Sequence, residues 1–328
     1  MLEKIKNKKV LITGGLGMIG STIAHKLVDL GAEVTLLDSL IKPFGGNYFN
    51  IQDIEESVTV NYSDIRDVES MKILIRDKDI VFNLAAQVSH NDSLENPSLD
   101  ADINYIGHLN VLEAARKYNS NAKIFHAGSR LQFGKIIKNP VAEDHPLKPL
   151  TPYALNKTAA ENLYLYYHRV FNIPVVIFRI ANPYGPRCQM KHSKYAIINW
   201  FIRNAMEDKE IIIFGDGTQI RDYIFVDDLA DAFILASVED STSGELFNIG
   251  SGVGTKFKDM VNTVVNSVGK GKIKNVPWPS DYLNVETGDY ITDINKISRF
   301  LKWKPKFSLD KGIDHTIDYY KKVKEFYW

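Results

Sequence analysis

The chain has 328 residues, 45% of them hydrophobic and 24% charged, ordinary globular proportions that allow one large α/β domain or two coupled ones. Lys+Arg and Asp+Glu both number 40, a zero formal charge that excludes a polybasic or acidic tail and a general nucleic-acid binder, which needs surplus cation to displace counterions. A lone cysteine, Cys188, makes no internal disulfide, no apolar run reaches the ~18 residues of a membrane helix, and Met1 to Lys9 meets Val10-Leu11-Ile12 without a signal-peptide core; a cytoplasmic, metabolite-handling protein with no membrane partner is the expectation.

Lys9–Thr13 reads as a strand, followed by a glycine cluster and a helix from Met18 to Leu30 that Gly31 ends. Further strands are predicted at Glu33–Asp38, Val58–Val60, Ile80–Leu84, Lys123–His126 and Val175–Arg179. Helical patterns lie between them, at Asp100–Tyr118 and Tyr153–Phe171. Strands that are apolar throughout, alternating with helices, imply a parallel sheet covered on both faces. After Ile180 the rhythm breaks: Asn182–Arg187 and Phe214–Thr218 are loop-rich, Ile197–Glu207 looks helical, and Pro277-Trp278-Pro279 and Pro305 punctuate the end. This part reads as a smaller second lobe. Tyr223–Ser237 followed by Glu245–Ile249 reads as one more helix–strand unit returning to the first.

Gly14-Gly15-Leu16-Gly17-Met18-Ile19-Gly20 satisfies G-x-G-x-x-G from Gly15 and G-x-x-G-x-x-G from Gly14, between a strand and a helix. Glycines there let the backbone turn tightly and approach a pyrophosphate at the helix N-terminus. Asp38 stands where the second strand ends, placed to accept hydrogen bonds from both adenosine ribose hydroxyls and to repel a 2′-phosphate, which favours NAD over NADP. In Asp64-Ile65-Arg66-Asp67, Asp64 is either an adenine contact or part of a charged surface turn.

Tyr153-Ala154-Leu155-Asn156-Lys157 places a phenol and an ammonium on one helix face. An ammonium beside a phenol stabilises the phenolate and lowers a pKa that starts near ~10, producing an acid/base for neutral pH. The spacing alone is common on surface helices. Its context is stronger: Thr151-Pro152 starts the helix, and Phe125-His126-Ala127-Gly128-Ser129 brings a serine to the carboxyl edge of the sheet, where open α/β folds bind ligands.

With these motifs the chain resembles the extended short-chain dehydrogenase/reductase superfamily, in its nucleotide-sugar epimerase/dehydratase branch. The likeness covers nearly the whole length and includes Asn83-Leu84-Ala85-Ala86-Gln87, Arg179–Arg187 and Gly215–Asp222. It implies a Rossmann-type doubly wound α/β fold: residues 1–180, with about 223–250, hold NAD, and 181–328 form mainly a substrate lobe. It also implies a cofactor set of Gly14, Gly17, Met18, Ile19, Asp38, Asp64, Ile65, Leu84, Ala85, Ala86 and Gln87, joined by Tyr153 and by Lys157 on the nicotinamide ribose. Tyr153 would be the base, and Ser129 would bond the reacting hydroxyl. Ser89, Asn182, Arg187 and Arg221 would hold a nucleotide-diphosphate sugar, with Arg221 on the diphosphate. The bland alternative for Arg221 is a salt bridge to Asp222 or Asp216. Asn104 resembles a structural position. The helices Asp100–Tyr118 and Tyr153–Phe171 resemble a four-helix homodimer interface, while also serving as sheet cover.

Several residues are set aside. His90 reads as a solvated loop histidine, with Ser89 an equal candidate for substrate. His168 and His192 lack metal-ligand spacing. Tyr164, Tyr166, Tyr167 and Phe171 read as packing, Cys188 as a bystander, and Lys191–Lys194 as a solvated loop or a cationic lip.

The 4,6-dehydratases carry an Asp-Glu pair directly after the Ser/Thr. Here Arg130 and Leu131 stand there, and neither is a useful acid or base, which disfavours dehydration. Epimerisation at C4 through a transient keto sugar is the first reading, and a dehydrogenase that releases the ketone is the alternative. Pro43–Asn47, Ser129–Gln132 and Gly288-Asp289-Tyr290 resemble CDP-sugar 2-epimerase-like proteins. No arginine falls between Pro277 and Glu286 to contact phosphate, and Tyr282 or nearby lysines are the substitutes. A non-catalytic NAD sensor would be expected to lack Tyr153 or Lys157; both are present.

Overall fold

The computed structural model describes residues 2–42 and 44–328; Met1 and Pro43, named above, lie outside the described residues. The first six strands are β1 (Lys9–Thr13), β2 (Glu33–Leu37), β3 (Val58–Asn61), β4 (Ile80–Asn83), β5 (Lys123–Ser129) and β6 (Val175–Ile180). They are followed by β7 (Asn182–Tyr184), β8 (Glu210–Phe214), β9 (Ile220–Phe225), β10 (Glu245–Ile249), β11 (Gly254–Lys256) and β12 (Lys272–Val276). Seven of these form one sheet in the order β3-β2-β1-β4-β5-β6-β10, with every neighbouring pair parallel. Strand order reverses between β1 and β4, the switch point of a doubly wound sheet, and ligands bind at such points.

Apolar layers cover both faces. On one, Ile23 and Leu27 of the helix Met18–Asp29 and Leu229 and Phe233 of the helix Val226–Ser237 pack over Ile12, Phe82, Phe125 and Phe178. On the other, Val111 and Leu112 of His108–Tyr118 and Tyr164 and Tyr167 of Pro152–Phe171 pack over Leu11, Val81, Ile124 and Ile177. Neighbouring strand residues divide between the two layers, as a period of two requires. Phe82–Phe125 ring centroids stand 4.8 Å apart, tying β4 to β5, and Phe178–Phe233 centroids stand 4.6 Å apart, tying β6 to the helix Val226–Ser237. The later strands β7, β9 and β11 make a second sheet and β8 and β12 a third, around a separate apolar cluster that includes Phe201, Ile211, Met260 and Tyr320.

Local signals explain the helix ends. Thr151 accepts from the Ala154 amide and Pro152 occupies the first turn, and the helix stops at Asn172 in a left-handed conformation, φ 56°. Gly31, at φ 77°, follows the first helix as anticipated.

Three expectations need correction. The stretch Asp100–Tyr118 is not one regular helix: Pro97–Ala101 and His108–Tyr118 flank a π turn at Asp102–Gly107. Asn104 on that turn donates to the Gln87 carbonyl at 2.9 Å and to Asp100 at 3.0 Å. Tyr223 begins no helix. It lies in β9, whose pairing with β7 and β11 claims Ile220–Phe225 before the helix starts at Val226. The short strands β7, β8, β11 and β12 fall in segments read as loops or left unassigned, being too short to show a period.

A buried ion pair holds the centre together. Arg179 on β6 donates from Nε and Nη2 to Glu161 on the helix Pro152–Phe171 at 2.8 and 2.6 Å, with both side chains 5% exposed or less. Removing one partner strands a buried charge. Arg179→Met is expected to lose ~3–5 kcal/mol in guanidinium unfolding, and adding Glu161→Met should recover most of it.

His108 and His126 are fully buried beside each other, ring centroids 5.0 Å apart. Burial holds both imidazoles well below the usual histidine range, reinforced at His126 by His108 and at both by Lys157. The unfolded chain takes up these protons as pH falls through ~6.5 and the folded chain does not, so stability is full above that value and lost below it, by up to ~1.4 kcal/mol per pH unit per histidine. Chemical denaturation between pH 7 and 5 should show this slope, and His126→Phe should flatten it.

Candidate active site

The carboxyl ends of the parallel strands open into one cleft of about 770 Å³. Gly14, Gly17, Met18 and Ile19 line it where β1 turns into the first helix. Gly14 sits at φ 68°, and a Cβ there would come within 2.9 Å of the Ala85 amide nitrogen; at Gly20 it would come within 2.3 Å of the Gly14 carbonyl oxygen. The glycines are therefore required by close backbone approach. Gly17, the N-cap, supplies no side chain, so the amino end of a twelve-residue helix faces the cleft without a protein cap. Thr13 Oγ1 accepts from the Leu84 and Ala85 amides, both at 3.1 Å, and locks β1 to β4 at the switch point. Thr13 is buried and supports the cleft wall without lining it.

Asp38 directly follows β2 as a cleft residue, its carboxylate fixed by the Leu16 and Leu40 amides at 3.0 Å each. Burial pushes its carboxyl up, and those two amides oppose the shift. Asp64 lines the cleft beside Ile65 and also holds Arg66 through Nε at 3.0 Å and Nη2 at 2.8 Å. Burial raises its carboxyl, but the Arg66 bonds outweigh that and the net shift is downward. Leu84, Ala85 and Ala86 continue the wall. A dinucleotide fits this half on its chemistry: amides and a helix end for the pyrophosphate, an oriented carboxylate for the ribose, and apolar walls.

Across the cleft, Ser129, Tyr153 and Lys157 converge from the end of β5 and the start of the helix Pro152–Phe171. The turn Arg130–Phe133 is closed by a capping box, with Ser129 Oγ accepting from Leu131 and Gln132 Oε1 accepting from the Ser129 amide at 2.7 Å. Gln132 in turn donates to Glu161 at 2.8 Å, which links the serine turn to the buried ion pair.

The electrostatics differ from the expectation that Lys157 depresses Tyr153. Burial pushes the Tyr153 phenol up to about 12, with Ser129 opposing and Asp100 reinforcing the rise. Burial pulls Lys157 down to about 8 against the charge of Asp100. The reason is geometric: Lys157 Nζ donates to the Ala127 carbonyl at 3.1 Å and stands 6.0 Å from the Tyr153 ring centroid. Asp100, fully buried and bonded by Asn156 at 2.8 Å, is a neighbour that sequence reasoning missed.

Asn182 and Arg221 line the far half. Asn182 donates to the Asp222 carbonyl at 2.7 Å and accepts from Arg130 Nε at 2.9 Å. Arg221 is ion-paired, but with Glu286 rather than Asp222 or Asp216, and it also donates to the Ile220 and Gly288 carbonyls. Phe214, Trp278 and Tyr282 cluster here, with Phe214–Tyr282 centroids 5.5 Å apart. Trp278 sits in a Pro-Trp-Pro segment read only as punctuation.

Three expected site residues do not line the cleft. Gln87 is buried and bonds both the amide and the carbonyl of Ser89. Ser89 caps the helix His90–Glu95 through the Asp92 amide. Arg187, at φ 66°, lays its guanidinium over Tyr319, 5.9 Å from the centroid. Conversely His90, set aside as a solvated loop residue, starts a helix and lines the cleft, where burial and then Arg130 pull its imidazole down to about 4. Cys188 also lines it, and burial pushes its thiol up to about 12. Lys194 reaches the cleft and pairs with Asp92.

Residues 10–250 match the model of the NAD dependent epimerase/dehydratase family. A UDP-glucose 4-epimerase of Mycolicibacterium smegmatis is 30% identical over 319 residues, covering 95% of this chain and 98% of that one. A dTDP-glucose 4,6-dehydratase of Salmonella typhimurium is 30% identical over 340 residues, covering 95% and 92%. The solved structure of UDP-glucose 4-epimerase from Thermotoga maritima with UDP-glucose superposes with a TM-score of 0.86 at 30% identity, covering 96% of this chain and 99% of that one. The glycine turn, the Asp38 carboxylate and the Ser–Tyr–Lys set thus sit in a matching fold over nearly the whole length, and the chain belongs to the NAD dependent epimerase/dehydratase family of enzymes.

Proposed function

We propose that this enzyme is a nucleotide-sugar epimerase acting at C4 through a transient keto sugar. The observation that carries the reading is the convergence of Ser129, Tyr153 and Lys157 on a cleft whose next two positions are Arg130 and Leu131. Neither of those side chains can serve as the acid or base of a water elimination at neutral pH. Bound NAD supplies a hydride acceptor that can return the hydride to the other face of the sugar.

The chain's own residues handle the proton. Ser129 holds the reacting hydroxyl against Tyr153, whose phenolate oxygen takes its proton and later gives it back. A phenol pushed up to about 12 by burial needs help to ionise, and the available groups are the Ser129 hydroxyl and the Lys157 ammonium. Asn182, held between Arg130 and the Asp222 carbonyl, presents a fixed amide to the sugar. Arg221 is the diphosphate ligand in this reading, and Glu286 keeps its guanidinium in place. Residues 1–180 with about 223–250 hold the cofactor, and 181–328 mainly the sugar nucleotide. Exposed Leu155, Tyr166 and Val170 on one helix, near exposed Ile106, support a homodimer through that face. A cytoplasmic site of action suits the single, buried cysteine.

Mass spectrometry on a panel of nucleotide sugars separates the outcomes. An isomer of unchanged mass is expected; loss of water, or of two hydrogens, as the main product would refute the epimerase. Tyr153→Phe keeps the ring and removes the proton acceptor, so turnover should fall ~10²–10⁴-fold while NAD still binds. Asp38→Ala should weaken NAD at least ~tenfold in calorimetry and relax rejection of NADP, since charge-assisted bonds to both ribose hydroxyls are lost.

A further inference from the structure

Arg130 has no part in the proton chemistry above, yet its guanidinium is built into the cleft wall. Nε donates to Asn182 Oδ1 at 2.9 Å, Nη1 donates to Thr287 Oγ1 at 3.0 Å, and the group lies over the Tyr290 ring, 5.4 Å from the centroid. Both partners are neutral. Those bonds use two of the five N–H groups of an arginine, which leaves three for a ligand. Among the described residues Arg130 forms no ion pair.

The neighbouring charges do not cancel it. The carboxylate facing this wall, Glu286, is bound to Arg221, so those two charges neutralise each other. His90, pulled down to about 4, is neutral at physiological pH. Arg130 itself is drawn down to about 10 by burial and by Arg221, with Tyr290, Glu286 and Tyr223 opposing, and so stays charged. Two guanidiniums thus share one carboxylate, which leaves one partly buried positive charge in excess. Such a charge is unfavourable until an anion enters beside it.

Its placement selects which part of a ligand that anion belongs to. Arg130 directly follows Ser129 and is bonded to Asn182, the two residues assigned to the reacting sugar, while the diphosphate is assigned to Arg221. We propose that Arg130 is a receptor for a carboxylate on the sugar ring, and that the substrate is a nucleotide-linked uronate or another carboxylate-bearing sugar rather than a neutral hexose. This rests on the nucleotide-sugar reading above and adds the class of sugar to it. A planar guanidinium edge matches a carboxylate through two parallel hydrogen bonds, an arrangement a lysine cannot copy.

Calorimetry on the NAD-loaded protein tests this with UDP-glucuronate against UDP-glucose, glucuronic acid 1-phosphate against glucose 1-phosphate, and UDP, CDP and dTDP alone. The acidic member of each sugar pair should bind at least ~tenfold more tightly to the wild type. In Arg130→Gln that ratio should fall to near one, and Arg130→Lys should restore part of it. A ratio near one in the wild type overturns the proposal. So does a loss in Arg130→Gln that is as large for the bare nucleoside diphosphates as for the acidic sugars, because Arg130 would then be a diphosphate ligand. If none of the three nucleoside diphosphates binds, the nucleotide-sugar reading itself fails, a different result from a lost preference. Ligand-free melting temperatures identify a variant that merely misfolds, and in that case the wild-type ratio still decides.

Discussion

Every strand of the main sheet runs the same way, and that constraint places the chemistry. Parallel strands buried on both faces carry mainly apolar side chains along their length. Polar side chains therefore gather where the strands end, and all seven end on the same edge. Gly14, Asp38, Asp64, Ala85, Ser129 and Asn182 are far apart in the chain and become neighbours because each follows or ends a strand. The reversal of order between β1 and β4 opens the crevice there, and Thr13 fastens the two strands across it.

The Glu161–Arg179 pair extends this order into the site. It joins β6 to the helix that carries Tyr153 and Lys157, and through Gln132 it reaches the amide of Ser129. The serine and the tyrosine therefore share one buried anchor. A fully satisfied buried network of this kind limits relative movement of the groups it connects. The ordinary strength of such pairs is modest once desolvation is counted, so its value here lies in geometry as much as stability.

Burial also sets the charge states of the cleft. It raises Tyr153 and lowers Lys157, and Asp100 pushes both upward from behind the helix. It keeps His90, His108 and His126 neutral. Arg130, drawn down only to about 10, stays charged because a guanidinium gives up its proton too reluctantly for burial to discharge it at neutral pH. The cleft thus sets fixed cations beside groups whose ionisation its own environment opposes.

Sequence by itself determined the parallel α/β architecture, the glycine turn, the acid at the end of β2 and the Ser–Tyr–Lys set. Each of these is a local pattern: an apolar run, a helix start, a spacing of four on one helix face. The π turn at Asp102–Gly107, the short strands β7, β8, β11 and β12, and the place of Tyr223 in β9 needed tertiary structure, since pairing partners far along the chain decide them. The same holds for single residues. Ser89 and Gln87 stand in the right segment but do not line the cleft, because Gln87 bonds the Ser89 backbone and the Ser89 hydroxyl caps the helix beginning at His90. His90 and Arg221 acquire their settings from Arg130 and Glu286, which lie tens of residues away in sequence. Which charge finds a partner depends on packing between segments, and no local period in the chain records it.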